Sequence, residues 1–269
     1  MTSAFLKRIE VILMDRGALI LLTMLICGDT LIPLQVGHAA TIMLPDGRGF
    51  LPPPPVIKSH AQEADIQAFE STRALKNSNR WKLAHNDADL DPEHMIGDFS
   101  CAAGFKLLPS ELPTLVAVLN ALEKPLEQRI TEEKENWRRQ RPFVGTSQPV
   151  CTPDADKLAS SFSYPSGHTT WGWLVASILS SAMPERSSQI MQRGRIFGES
   201  RIVCGVHWKS DVQAGYMNGS AMFAAIQEQP WFAEKMDSIR KELQNARVKA
   251  TPAESATCAL EHEASQEAF

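Results

Sequence analysis

The 269-residue chain has no surplus of positive charge: 27 Lys and Arg stand against 31 Asp and Glu, a net charge of −4. Such a balance exerts no general pull toward nucleic acid or anionic lipid, so no nucleic-acid partner is expected. Long apolar runs are scarce as well. Ala18–Cys27 and Trp171–Met183 both fall short of the roughly 20 residues that a membrane-spanning helix needs. After residue 60 no segment alternates with period two in β-branched residues, which argues against a strand-built fold. The seven histidines form neither a Glu-x-x-His pattern nor a closely spaced pair, so no metal ligand set is indicated. What remains is 43% hydrophobic and 22% charged, the composition of an ordinary globular protein.

The first forty residues stand apart. Lys7, Arg8 and Arg16 precede Ala18–Cys27, and Gly37, Ala39 and Ala40 follow. That order reads as a secretory signal peptide over residues 1–40, cleaved after Ala39 or Ala40, with Met14 as an alternative start. An exported protein then has no membrane contact once the leader is gone. Its removal takes three basic groups and three acidic ones (Glu10, Asp15, Asp29), leaving the net charge unchanged. Cys27 leaves with it, while Cys101, Cys151, Cys204 and Cys258 remain. Four thiols allow two bridges by any of three connectivities, or can stay as small buried apolar groups.

The remainder reads as all-α, with one domain over residues 41–247 and a frayed polar tail over 248–269. Pro52–Pro55 suits an extended arm. Helical spacing follows in Ile66, Phe69 and Arg73, and again around Trp81 and Ala84, with His85–Asp91 as a polar connection. Ser110 fits an N-cap ahead of Leu112, Leu115, Val116, Leu119 and Leu122. Pro125 should break or kink that helix before it resumes through Leu126, Ile130 and Trp137. A loop spans Val144 to Phe162. Trp171–Met183 then reads as a buried core helix, followed by helices from Arg186 to about Cys204 and from Ser210 to Ile226. The last is rich in small residues (Ala214, Gly215, Gly219, Ala221) that permit close helix contact.

Three clusters can carry chemistry. In the first, Lys134 precedes Arg141-Pro142 by seven positions; on a helix the two cations would lie two turns apart on one face and converge on an anion. In the second, Pro165-Ser166-Gly167-His168 opens the apolar helix, where free backbone N–H groups and the dipole favour an anion and an imidazole can donate a proton beside it. The third is Ser200-Arg201 with His207 and Asp211. A carboxylate four residues from the imidazole can hold one ring nitrogen protonated and leave the other free to attack.

In this order the clusters resemble the K-x6-R-P, P-S-G-H and S-R-x5-H-x3-D pattern of the superfamily that joins type 2 phosphatidic acid phosphatases, bacterial class A nonspecific acid phosphatases and vanadium haloperoxidases. The Leu51–Pro55 segment, the Arg73–Ala84 helix, Phe99–Gly104 and Ser163–Thr169 are similar to class A acid phosphatases in particular. One departure stands out: Phe162 occupies a position where those proteins usually carry Gly, which bears on pocket shape.

The resemblance implies a helical bundle of the acid phosphatase and vanadium haloperoxidase type. It also implies an exported, periplasmic enzyme that hydrolyses phosphate monoesters with no cofactor or metal; a homodimer is typical of the family. Lys134, Arg141, Ser166, Gly167 and Arg201 would bind phosphate, His207 would form a phosphohistidine, Asp211 would orient it, and His168 would protonate the leaving alcohol. A vanadate-dependent haloperoxidase and a non-catalytic phosphate-binding protein are the alternatives, the first marked by peroxide-dependent bromination, the second by binding without turnover.

Overall fold

The computed structural model describes residues 42–267 and residue 269. The leader reading for residues 1–40, its cleavage point and Cys27 lie outside the described residues. Among those residues the chain forms α1 (His60–Thr72), α2 (Asn79–Asn86), α3 (Pro92–Asp98), α4 (Ser100–Ala103), α5 (Pro113–Trp137), α6 (Ala155–Ala159), α7 (Gly167–Ala182), α8 (Ser187–Val203), α9 (Lys209–Gln227), α10 (Pro230–Lys249) and α11 (Ser255–Ser265). No strand occurs among them. The all-α class expected from the sequence is the class observed.

Helix α7 is the centre because most of its length is buried, with Trp171, Leu174, Val175, Ile178 and Leu179 forming a wide apolar face and Thr169, Thr170, Gly172 and Ala176 also enclosed. Such a helix is stable only in an interior. It packs most extensively on α8 and α9, and the small residues of α9 permit that approach. A Cβ on Gly215 would stand 2.6 Å from the Thr169 Cβ and 2.9 Å from the Ser166 carbonyl oxygen. The start of α7 is therefore pressed directly onto α9. Helix α5 adds Leu115, Leu119, Leu122, Leu126 and Ile130 to the same core from one face, at three- and four-residue spacing.

Several local expectations are corrected. Pro125 does not break α5, which is one 25-residue helix. Ala121, whose carbonyl loses its donor to the proline ring, is exposed, so water can take that bond. Ser110 is not the N-cap; it sits in a short 3-10 turn, and Leu112 begins α5 without a side-chain cap. The cap comes instead from α10, where Glu242 accepts the Thr114 N–H at 3.1 Å and also its hydroxyl. The Val144–Phe162 loop contains α6.

The tail beyond Val248 is not frayed over its length. It forms α11, bridged to α4 by the Cys101–Cys258 disulfide and held by an ion pair from Glu261 to Arg193 at 3.0 Å. Cys151 pairs with Cys204, so the two bridges adopt one of the three connectivities that the sequence leaves open. The second bridge ends at the C-terminus of α8, three residues before His207.

Candidate active site

Lys134 and Arg141 do not share a helical face. Helix α5 ends at Trp137, and Arg138 takes the left-handed conformation (φ 48°) that stops it. Arg141 returns from the following turn. Its Nη1 donates to the Val206 carbonyl at 2.8 Å and to His207 Nε2 at 3.0 Å, and its Nη2 donates to the Phe162 carbonyl at 3.2 Å. Lys134 approaches from the helix end: its Nζ lies 4.0 Å from where a Cβ on Gly167 would sit, with Ile130 nearer still at 3.3 Å. The two cations converge, but through a chain reversal.

Ser166 is the N-cap of α7. Its Oγ accepts the Thr169 N–H at 3.3 Å and the Thr169 hydroxyl at 2.8 Å, so its own hydroxyl hydrogen is left to donate elsewhere. The N–H groups of Gly167 and His168 are first-turn donors without intrahelical acceptors. Ser166 N–H bonds the Asp211 carbonyl at 3.0 Å, which locks the start of α7 to the start of α9.

His207 precedes α9 and is almost fully buried. Its Nδ1–H donates to Asp211 Oδ2 at 3.3 Å, in a tight turn that also brings the Trp208 N–H to the same oxygen at 2.9 Å. Nε2 therefore carries the ring's lone pair, and Arg141 Nη1–H donates to it. His168 is fixed in the opposite sense, its Nε2–H donating to the Ala88 carbonyl at 3.1 Å, which leaves Nδ1. Arg201 is 1% exposed, yet among the described residues its Nε and Nη1 have no hydrogen-bond partner. Buried guanidinium donors left unpaired are costly, and an anion is the ligand that would satisfy them.

The electrostatics agree. Burial first, and then the Arg141 cation, pushes Lys134 down to about 7. Burial brings Arg141 to about 10 and Arg201 to about 9. His207 lies well below the ordinary imidazole value through burial and then Arg141; His168 does so through burial and then Arg201. Burial raises Asp211, opposed by Arg139. Buried cations that also depress one another form a site short of negative charge, and a tetrahedral oxoanion would favour the charged form of Lys134, Arg141, Arg201 and both imidazoles.

Arg139 holds the site's carboxylate, a role its sequence context does not disclose. Its Nη1 donates to Asp211 Oδ1 at 2.6 Å and its Nη2 to Asp65 Oδ2 at 2.6 Å, with Ser210 and Gln62 completing the set. It joins α1 to the carboxylate that holds His207. Its place between Arg138 and Arg141 resembles a solvated basic face, and only its partners reveal otherwise. Arg73 is a second such residue: it donates to the Ile202 and Val203 carbonyls and to Pro149, packing where Gly205 (φ 81°) has no side chain. Phe162 is half-buried, with the Arg138 guanidinium 5.0 Å over its ring.

Comparison with known proteins fits this geometry. The PAP2 superfamily matches residues 114–235, a span that contains all three clusters. An acid phosphatase of Zymomonas mobilis is 46% identical over 216 residues, covering 80% of this chain and 82% of that protein. The chain belongs to the PAP2 superfamily, among its acid phosphatases. A non-specific acid phosphatase of Salmonella typhimurium is 40% identical over 196 residues, covering 72% of this chain and 78% of the relative. Among solved structures, a transmembrane PAP2-type phosphatidylglycerolphosphate phosphatase from Bacillus subtilis matches with a TM-score of 0.45 at 18% identity, covering 66% of this chain and 89% of that one. No helix among the described residues of this acid phosphatase is long and apolar enough to cross a membrane. The enzyme is a phosphoric monoester hydrolase.

Proposed function

We propose that this acid phosphatase hydrolyses a broad range of phosphate monoesters through a phosphohistidine on His207, without a metal ion. The observation that carries the reading is the 3.0 Å approach of Arg141 Nη1 to His207 Nε2, with Nδ1 held by Asp211. The lone pair that attacks and a cation able to bind a phosphate oxygen thereby adjoin, and a substrate oxygen that takes over the Arg141 N–H leaves Nε2 beside phosphorus. Lys134, Arg141 and Arg201 hold the non-bridging oxygens with the Ser166 hydroxyl and the N–H groups of Gly167 and His168. Phosphoryl transfer needs mainly positioning and charge stabilisation, and three cations supply the charge that a divalent metal would otherwise bring.

His207 Nε2 attacks phosphorus in line as the bond to the leaving oxygen breaks, and His168 gives that oxygen its proton from Nδ1. Asp211 stabilises the positive charge that His207 gains. His168, now neutral, takes a proton from water, which attacks the phosphohistidine and releases phosphate. Substrate brings negative charge beside the cations that, after burial, hold His168 low. Binding therefore favours the protonated acid, which ties activity to acidic pH. All of the contacts described fall on the phosphoryl group, which supports broad leaving-group tolerance. Two disulfides suit an oxidising compartment and support export to the periplasm through the leader.

The test is hydrolysis of nucleotide, sugar and aryl phosphates in the presence of chelator, with His207→Asn alongside. Chelator-resistant turnover that His207→Asn abolishes is expected. Turnover that chelator removes and added metal restores, or a His207→Asn enzyme with undiminished rate, would reject the reading.

A further inference from the structure

The end of α2 and the residues that follow it read in sequence as a plain polar connection, yet three successive residues there are tied down. His85 Nδ1–H donates to the Cys151 carbonyl at 2.6 Å, and Asn86 Nδ2 donates to Asp98 Oδ1 at 2.7 Å. Asp87 is fully buried: Oδ1 accepts from Arg193 Nη2 at 2.6 Å, and Oδ2 accepts from the Ser200 hydroxyl at 2.5 Å and from Arg193 Nη1 at 3.3 Å. Arg193, also buried, reaches on through Nε to Glu261 of α11 at 3.0 Å and to the Asp98 carbonyl at 3.1 Å. The next residue, Ala88, presents its carbonyl to His168 Nε2–H.

We propose that Asp87 is a positioning residue for phosphoryl transfer, anchoring the Ala88 carbonyl that selects the His168 tautomer and, through Ser200, the backbone that presents Arg201. A buried carboxylate–guanidinium set contributes little net stability over apolar packing, because both charges lose their water. Such a set does hold groups in one geometry. Asp87 is placed to use that rigidity twice, on Ser200 just before Arg201 and on Ala88 just after Asp87 itself. With the Ala88 carbonyl in place, Nε2 keeps its proton and Nδ1 is the atom that donates to the leaving oxygen as its bond to phosphorus breaks. A loosened carbonyl lets the ring turn or exchange tautomer, and the departing alkoxide then leaves without a well-placed proton. The C-terminal helix, which lies beyond the family match at residues 114–235, becomes part of the catalytic support through Glu261.

The proposal rests on the reading of His168 as the acid, and the experiment separates the two. Asp87→Asn, Ala88→Gly and His168→Ala are compared on an alkyl phosphate and on an aryl phosphate with an acidic phenol, whose departure needs little protonation. Ala88 is only partly buried, and its glycine variant removes no charge, so it reports even where Asp87→Asn does not fold. General acid catalysis is worth about 100- to 10,000-fold. The expectation is a kcat loss on the alkyl ester exceeding that on the aryl ester by roughly 10- to 100-fold for Asp87→Asn and several-fold for Ala88→Gly, with KM nearly constant. Neither change should alter the selectivity ratio further in a His168→Ala background. Equal losses on both esters in the turn variants, while His168→Ala discriminates, would overturn the proposal alone. Equal losses in His168→Ala itself would remove the acid reading first.

Discussion

Replacing Arg139 by Met should expose how the site's charges are balanced. The guanidinium side chain is 9% exposed and lies 2.6 Å from two carboxylates, Asp65 at 2% and Asp211 at 0% side-chain exposure. Removing one partner of a buried ion pair costs about 3–5 kcal/mol, since the other charge stays buried and uncompensated. At about 2–4 °C per kcal/mol for a chain near this size, Tm should fall by on the order of 10 °C at neutral pH. Burial already raises Asp211, with Arg139 opposing, and without the cation it titrates higher still. A carboxyl raised in the folded state is penalised above its unfolded value and is relieved when both states are protonated. The stability deficit should therefore be full at neutral pH and shrink as pH falls toward the ordinary Asp range. Activity should fall on the order of 100-fold, because His207 loses its fixed orientation. Thermal unfolding from pH 4 to 8, with kcat in parallel, measures both. A Tm within about 2 °C of wild type at pH 7, or a deficit that grows on acidification, would refute the reasoning.

Two further predictions concern neighbouring parts. Burial raises Glu133 to about 7, against donation from the Gly47 N–H at 2.8 Å and Asn218 Nδ2 at 2.6 Å. Wild-type stability should thus be fullest below the unfolded carboxyl range and decline as pH rises through about 7. In Glu133→Gln, Asn218 can turn its unpartnered Oδ1 to the new amide, and the variant should gain relative to wild type by up to about 3 kcal/mol between pH 4.5 and 8 in urea titrations. Parallel pH curves for the two proteins would count against it. Gly215→Ala places a Cβ 2.9 Å from the Ser166 carbonyl and 2.6 Å from Thr169; overpacking should cost about 1–3 kcal/mol and raise KM as Ser166 shifts. An unchanged KM would show that α9 does not set the position of Ser166.

Residues close in sequence and acting through local geometry were the legible part. Ser166 caps α7 and Gly167 and His168 open its first turn because Pro165 and a capping serine announce a helix start. His207 and Asp211 meet because four residues suffice for a turn. What escaped depends on partners supplied by distant elements. Arg139 has the same composition around it whether it faces water or Asp65, which lies 74 positions away. Asp87 reads as one of several acids in a connection until Arg193 and Ser200 arrive from α8. Lys134 and Arg141 do not lie on one helical face, since Arg138 ends the helix between them. Likewise the cap of α5 comes from Glu242 on α10, which no local pattern around Ser110 contains. The C-terminal tail looked frayed because its own residues are polar, and its order comes from Cys101 and Arg193, both outside it.

The central claim is that His207 takes the phosphoryl group. Enzyme mixed with a 32P-labelled monoester, denatured in alkali within milliseconds and digested, should yield label in the peptide containing residue 207, stable to base and lost in acid. Rapid turnover of the same substrate with no protein-bound label at any quench time would contradict the account and assign the attack to water.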